Sequence, residues 1–394
     1  MRVLMYSWEY PPYLAGGLGK HVMELLPALD RQGMEVHLLT PDWAGDALPE
    51  SMGNVVVHPV AVAAQVSGNI HDTAWRANRD LTRHAEDLWS DVGDFDIIHA
   101  HDWLVAFSAC EVKQHTQASL VSTMHATERG RGGGHLAGEM AGAIHSTEQW
   151  LVAQSDRVIV TSHYMAQQIG EHLCVPLDKV DVVPNGVDAT RFERHGAEDL
   201  VGFRRRYATP EQKLVFSVGR VEYQKGLHTL VEAVPLVLSE CPQARFVIAG
   251  RGSQLASLRR RVAELGLGSK VLFPGYISDV ERDRLYEVSD AAIFPSLYEP
   301  FGIVALEAMA ARCPVIVSEV GGLQEVVRCG ETGLTVHPDD PASLSWGILK
   351  ALAEPEQAQA RAAAAYQVVR QEYNWDRIAT LTVASYYRAQ RESM

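Results

Sequence analysis

Short apolar runs alternate with amphipathic stretches whose apolar residues recur at spacings of three and four. The first pattern predicts buried strands and the second predicts helices covering them. Residues 2–7 read as a first strand, followed by a glycine-rich loop over 9–19, a helix over about 20–33 and a strand over 35–40 closed by Pro41. Strand, loop, helix and strand make the unit of a parallel α/β sheet. Further strands are expected at 55–60, 96–101, 118–124 and 157–161, with a helical segment at 69–90 and a turn-rich stretch at 179–188. After the basic connector Arg204-Arg205-Arg206 the pattern restarts. It predicts strands at 214–219, 244–250, 271–275, 291–294 and 315–317, and helices at 227–240, 255–267, 279–288, 304–311, 340–352 and 356–373.

Each half therefore reads as a doubly wound, Rossmann-like α/β domain, one over 1–187 and one over 200–375. A last helix over 376–394 is expected to pack back on the first domain. Strand C-termini of both sheets are expected to face a shared cleft, because ligands bind in open α/β sheets at that end.

Composition adjusts this picture little. At 394 residues, two domains are expected. A net charge of −14 argues against a nucleic-acid backbone as partner, though a nucleotide needs only a few local cations. The five cysteines are dispersed with no C-x-x-C pair, which reads as reduced thiols in a cytoplasmic protein. The apolar run after Arg2 is too short for a signal peptide, and no stretch reaches the ~18 apolar residues of an integral membrane span.

The most informative segment is 296–310, where Glu299 and Glu307 stand eight positions apart behind the strand ending at Pro295. Pro300 falls where a first helical turn would begin, and Gly302 permits a close backbone approach. If both glutamates were helical they would face broadly the same way, about 12 Å apart along the axis. Such carboxylates can each hold a pair of sugar hydroxyls, and the amides at the helix start can meet a phosphate. The alternative is one solvated glutamate at a helix start and another on a surface.

Other constellations carry compatible chemistry. Gly16-Gly17-Leu18-Gly19 follows the first strand and opens a helix; it matches neither G-x-G-x-x-G nor a P-loop. Arg220 and Lys225 flank the end of the first strand of the second half, where a fork and a point charge suit a diphosphate leaving group. Gly250-Arg251-Gly252 and Gly321-Gly322 are further glycine turns, the second read as an amide-rich anion site. His99, His101, Asp102 and Trp103 cluster at one strand tip and His125 sits at another. His99 and His101 alternate along a strand with Asp102 adjacent, which is poor tetrahedral spacing, so no metal is expected. Asp94-Phe95-Asp96 matches D-x-D but precedes its strand and reads as an exposed turn.

Together these motifs resemble retaining glycosyltransferases of the two-Rossmann (GT-B) architecture, family 4, with features of glycogen and starch synthases. The matching pattern spans nearly the whole chain and includes His99-Ala100-His101-Asp102-Trp103, Pro184-Asn185-Gly186-Val187-Asp188, Gly219-Arg220 with Lys225-Gly226, and Glu299 through Glu307. The resemblance implies transfer of a hexose, glucose foremost, from a nucleoside-diphosphate sugar (ADP- or UDP-glucose) to a carbohydrate acceptor such as an α-1,4-glucan, with no cofactor. It implies donor contacts from Arg220, Lys225, Gly17, Gly250, Phe301, Gly302, Ile303 and Glu307, the last at the ribose. It places Glu299 and His125 at the sugar near the reacting centre, and Asp102, Gly16 and Arg129 on the acceptor side. Two departures from bacterial glycogen synthases are visible: Ala15 stands within their Lys-x-Gly-Gly loop, and Phe301 replaces a cysteine. A small-sugar or lipid-linked acceptor, or a nucleotide-sugar epimerase, are the alternatives.

Overall fold

The computed structural model describes residues 1–14, 16–44, 50–62, 68–193 and 197–392. Ala15, residues 194–196 between the two expected domains and the last two residues lie outside the described residues. The chain divides into two compact units, Met1–Gly186 with the segment from Trp375 onward, and Val187–Asn374.

The first unit is built on strands β1 (Arg2–Tyr6), β2 (Glu35–Asp42), β3 (Glu50–Met52), β4 (Val55–Ala61), β5 (Ile97–His101), β6 (Ser119–Met124), β7 (Arg157–Val160) and β8 (Val180–Val182), in the order β3-β4-β2-β1-β5-β6-β7-β8. All neighbours are parallel except β3 with β4. Val3, Leu4, Met5 and Tyr6 are all fully buried, as a central strand covered by helices on both faces requires. Strand order reverses between β1 and its neighbours β2 and β5, so a crevice opens beyond the C-terminal ends of β1 and β5.

The second unit holds β9 (Lys213–Val218), β10 (Ala244–Ala249), β11 (Val271–Gly275), β12 (Ala291–Phe294), β13 (Val315–Ser318) and β14 (Leu334–Val336), in the order β11-β10-β9-β12-β13-β14 and parallel throughout. Its switch point lies between β9 and β12. The loops after Val218 and Phe294 therefore meet over one crevice.

The last helix, Trp375–Glu392, belongs to the first unit. Trp375, Ile378, Ala379, Tyr386 and Ala389 enter the same core as Val22, Leu25 and Leu26. Gly186 makes room for it: a Cβ there would stand 2.6 Å from the Trp375 ring. Trp375 Nε1 donates to Glu24 Oε2 at 2.6 Å, and Arg388 pairs with Asp181 at 2.9 Å.

Several elements differ from the sequence reading. The first helix runs Gly17–Arg31, starting three residues earlier than expected, so Gly17-Leu18-Gly19 form its first turn rather than a loop. Helices at Ala106–His115, Gly138–Gln154 and His163–Leu173 were not anticipated. The first two have mixed polarity with no clear apolar stripe, because part of each is covered by other helices. The helix after Pro300 begins only at Ile303, behind Gly302 in a left-handed conformation (φ +110°). Glu299 is therefore not helical, and the 12 Å axial estimate for the glutamate pair does not apply.

Candidate active site

In the second unit, the loops after β9 and β12 are tied together by their own backbones. Leu297 N donates to Gln224 O at 2.8 Å. Gly226 is left-handed (φ +61°), and a Cβ there would lie 1.9 Å from Pro295 O, so only glycine admits this approach. The clamp lines a small concavity of about 30 Å³ with Ser217, Gly219, Arg220, Lys225, Ser296 and Glu299. Lys225 Nζ lies 2.6 Å from Glu299 Oε2, which also accepts from Ser296 Oγ at 3.2 Å. Arg220 is exposed at the rim. Its charge, with two hydrogen bonds from Ser253 as the larger cause, holds the Glu222 carboxyl below its usual range.

Glu307 is engaged elsewhere. It is buried on the helix Ile303–Ala310, with Oε1 3.3 Å from Arg191 Nη2 and Oε2 3.4 Å from Arg282 Nε; Tyr286 Oη donates to Oε2 at 3.3 Å. Asp283 completes the cluster, 3.2 Å from Arg191 and 3.1 Å from Arg282. Burial drives the Asp283 carboxyl up, opposed by these two guanidiniums. The two glutamates of the spaced pair thus have separate sets of partners, Glu299 in the concavity and Glu307 in a buried charge network.

The other expected donor residues are placed as follows. Phe301 is buried in the core, edge-on to Tyr373 at 6.1 Å, so what 301–303 can present to a ligand is mainly backbone. Ile303 packs partly buried on the same core. Gly250 (φ +137°) is crowded by its neighbouring strand, where a Cβ would stand 1.8 Å from Gly219 O. Gly321-Gly322 is not an open anion site: Gly322 N already donates to Glu299 O at 3.0 Å, and the helix behind it, Leu323–Val326, is a single turn.

In the first unit, Asp102 follows β5 with φ +61°, a conformation uncommon for a residue with a side chain and a mark of a constrained site. Its Oδ1 accepts from His125 N at 2.8 Å. Burial raises its carboxyl to about 6 against the pull of Arg131 and two backbone amides. His125, after β6, lies with Nε2 3.2 Å from Nδ1 of His101. His21, one turn into the helix that opens at Gly17, has Nδ1 2.6 Å from Asn185 Oδ1 and its ring 4.9 Å from that of His125. Burial holds His21 and His125 at about 3, so these imidazoles are neutral. His99 is satisfied by Tyr386 Oη at 2.8 Å and Thr123 Oγ1 at 2.7 Å, so it fastens the last helix instead. Gly16 and Gly17 are exposed, with Gly16 N donating to Glu9 Oε2 at 2.9 Å. Arg129 Nε donates to Gly134 O at 3.0 Å. Asp94 and Asp96 sit at the other end of β5, exposed, accepting from Trp89 Nε1 and Arg2 N.

Sequence reasoning missed His21 and Glu148, and gave Asn185 no role beyond its place in the 184–188 motif. Glu148 is fully buried, accepts from Glu128 N at 2.8 Å, and is raised by burial to about 8. His21 carried a signal: it is a polar residue on the apolar stripe of the first helix, beside Val22 and Leu25.

A parallel, doubly wound unit with paired cation and carboxylate at its switch point, linked to a second such unit, defines a glycosyltransferase architecture. The chain belongs to the group 1 and family 4 glycosyltransferases: the profile "Glycosyl transferases group 1" matches residues 203–368 and "Glycosyltransferase Family 4" matches 15–191. It is 36% identical over 408 residues to a glycogen synthase of Mycobacterium tuberculosis, covering 99% of this chain and 95% of that protein. Among solved structures it is similar to sucrose-phosphate synthase from Thermosynechococcus elongatus, with 26% identity, TM-score 0.83 and 98% of each chain covered. The catalytic domain of starch synthase IV from Arabidopsis thaliana shares the fold, with 19% identity, TM-score 0.78 and 99% of each chain covered. Among the described residues, no helix is long and apolar enough to cross a membrane.

Proposed function

We propose that this glycosyltransferase moves glucose from a nucleoside-diphosphate glucose, ADP- or UDP-linked, to a glycan acceptor such as an α-1,4-glucan, with retention of anomeric configuration. The observation that carries the reading is the Lys225–Glu299 contact at the switch point of the second unit. A donor sugar has its hydroxyls on one side of the scissile bond and its diphosphate on the other. Neighbouring groups of opposite charge suit those two sides, Glu299 for the hydroxyls, Lys225 and Arg220 for the charge gathering on the departing diphosphate. Backbone amides of Gly17, Gly302 and Ile303, and the turn at Gly250, complete the donor side in this reading. Glu307 meets the ribose hydroxyls by exchanging an arginine contact for them.

On the acceptor side stand Asp102, Gly16 and Arg129, with His125 next to the sugar. With Glu299 beside the sugar hydroxyls and Asp102 on the acceptor side, neither carboxylate stands behind the anomeric carbon in this reading, so front-face displacement is favoured, with the leaving phosphate taking the proton of the attacking hydroxyl. The step needs no metal, and the enzyme acts in the cytoplasm. The likeness to the mycobacterial glycogen synthase supports the glucan acceptor. The likeness to sucrose-phosphate synthase favours, as a second reading, a small phosphorylated sugar.

A matrix of ADP-, UDP- and GDP-glucose against maltooligosaccharides and hexose phosphates tests both. Acceptor-dependent release of nucleoside diphosphate with maltooligosaccharides supports the first reading, and release only with a hexose phosphate supports the second. A new nucleotide sugar formed without acceptor would mean an epimerase and overturn both.

A further inference from the structure

The histidines of the first unit form a group that the transfer reaction does not use as a group. His21, His101 and His125 each offer a ring nitrogen, and these three atoms lie within 4.8 Å of one another. They come from three elements: the first helix, the last residue of β5 and the loop after β6. We propose that His21, His101 and His125 form a binding site for a soft divalent cation, zinc foremost.

Two features support the assignment. The first is spacing. Zinc holds imidazole nitrogens at about 2.0–2.1 Å in a tetrahedron, which sets neighbouring ligand atoms about 3.3 Å apart. His101 Nδ1 and His125 Nε2 already stand 3.2 Å apart, and His21 has to approach by at most about 1.5 Å. The second is orientation. Asn185 Oδ1 accepts from His21 Nδ1 at 2.6 Å, which fixes the proton there and leaves the Nε2 lone pair free for a metal. A hydrogen bond behind a ligating imidazole is the usual way such a ring is oriented.

Three neutral nitrogens with no thiolate suit zinc and its neighbours in the transition series, rather than magnesium or calcium, which take oxygen. Three protein ligands leave a fourth position for water or another small ligand. Asp102 Oδ1 accepts from the backbone N–H of His125, which steadies the loop that carries this imidazole. Zinc here occupies the lone pair of His125. Where His125 also serves the donor sugar, as proposed above, zinc inhibits transfer; that consequence rests on the proposed function, whereas the binding site does not.

The test is zinc titration of the chelator-stripped protein, followed by calorimetry, with metal content measured after desalting. About one tightly held equivalent is expected, with affinity lowered about 10–100-fold in Asn185→Ala, which removes only the orienting hydrogen bond. His21→Ala should lose the site. X-ray absorption on the zinc-loaded native protein guards against a variant that misfolds. It should report nitrogen at about 2.0–2.1 Å and no sulfur. Sulfur near 2.3 Å would place the metal on the exposed thiols Cys174 or Cys329 and overturn the proposal. Failure to retain zinc, or equal retention by folded His21→Ala, would also overturn it. Zinc held by imidazole with transfer unaffected supports the site and removes His125 from the donor sugar instead.

Discussion

Lys225 Nζ lies 2.6 Å from Glu299 Oε2, joining the loop after β9 to the loop after β12 through a largely buried ion pair. The pair exists because the strand order places two sequence-distant loops over one crevice, and because Gly226 lets them approach. Each group is the other's counter-charge, so removing one leaves the other poorly solvated.

That coupling makes the donor assignment testable. Arg220→Ala and Lys225→Ala should each lower kcat by on the order of 10²-fold while leaving binding of the free nucleoside nearly unchanged. Glu299→Gln combined with Lys225→Ala should cost less than the sum of the two single losses, since they share a contact. Steady-state kinetics and nucleoside titration check this. Unchanged kcat in both cation variants would remove the diphosphate assignment.

Transfer should survive excess EDTA. Asp94 and Asp96 are engaged at the end of β5 opposite Asp102, and in the proposed reaction Lys225 and Arg220 take the place of a cation at the diphosphate. If zinc sits on the three histidines, EDTA should leave the rate unchanged or raise it. Complete loss restored by Mn²⁺ or Mg²⁺ would refute metal independence.

Stability should fall on both sides of neutrality, for opposite reasons. His21, His99 and His125 have folded values of about 3, below the ordinary 6.5, chiefly through burial. Their contribution is present above 6.5 and is lost as pH drops towards 3. Glu148, raised by burial from 4.5 to about 8, does the reverse: its contribution is full below 4.5 and is lost as pH rises through 8. Glu148→Gln should therefore gain Tm relative to the native protein between pH 5 and pH 9. Scanning calorimetry reads the difference, and a gap that does not grow with pH would contradict the assignment.

Trp375→Ala should destabilise the first unit by about 3–5 kcal/mol, the usual cost of removing a large buried aromatic. The ring fills the space left by Gly186, and its Nε1 reaches Glu24. Urea unfolding of the two proteins measures the loss. A change under about 1 kcal/mol would mean that the last helix is held by its other contacts.

The first-formed product should carry an α-linkage when made from an α-configured donor, as front-face displacement requires. Proton NMR of the nascent product, taken before any further turnover, reads the anomeric coupling. A β-linkage would refute retention.

Much of this was legible in the sequence, because continuous apolar runs such as Val3 to Tyr6 have only one stable use, a strand buried on both faces. The alternation of such runs with amphipathic stretches determined a parallel α/β architecture. Glycines at 250 and 302 marked where the backbone had to bend or approach closely, whereas the close approach at Gly226 emerged only in the fold. The motif residues Arg220, Lys225 and Glu299 were identifiable by type and position. What the sequence could not decide is which of them touch. Glu299 and Glu307 share a helical spacing on paper, but the helix starts only at Ile303, so Glu299 pairs with Lys225 while Glu307 joins Arg191, Arg282 and Tyr286. His99 and His101 share one face of β5, their rings 4.2 Å apart, yet His99 is held by Tyr386 and Thr123 while His101 lies against His125 and His21. The physical reason is the same in both cases. Periodicity sets which face a residue occupies, but contacts across a sheet or between loops depend on strand order and helix start, which are set by the packing of segments distant in the chain, 74 residues apart for Lys225 and Glu299 and 287 for His99 and Tyr386.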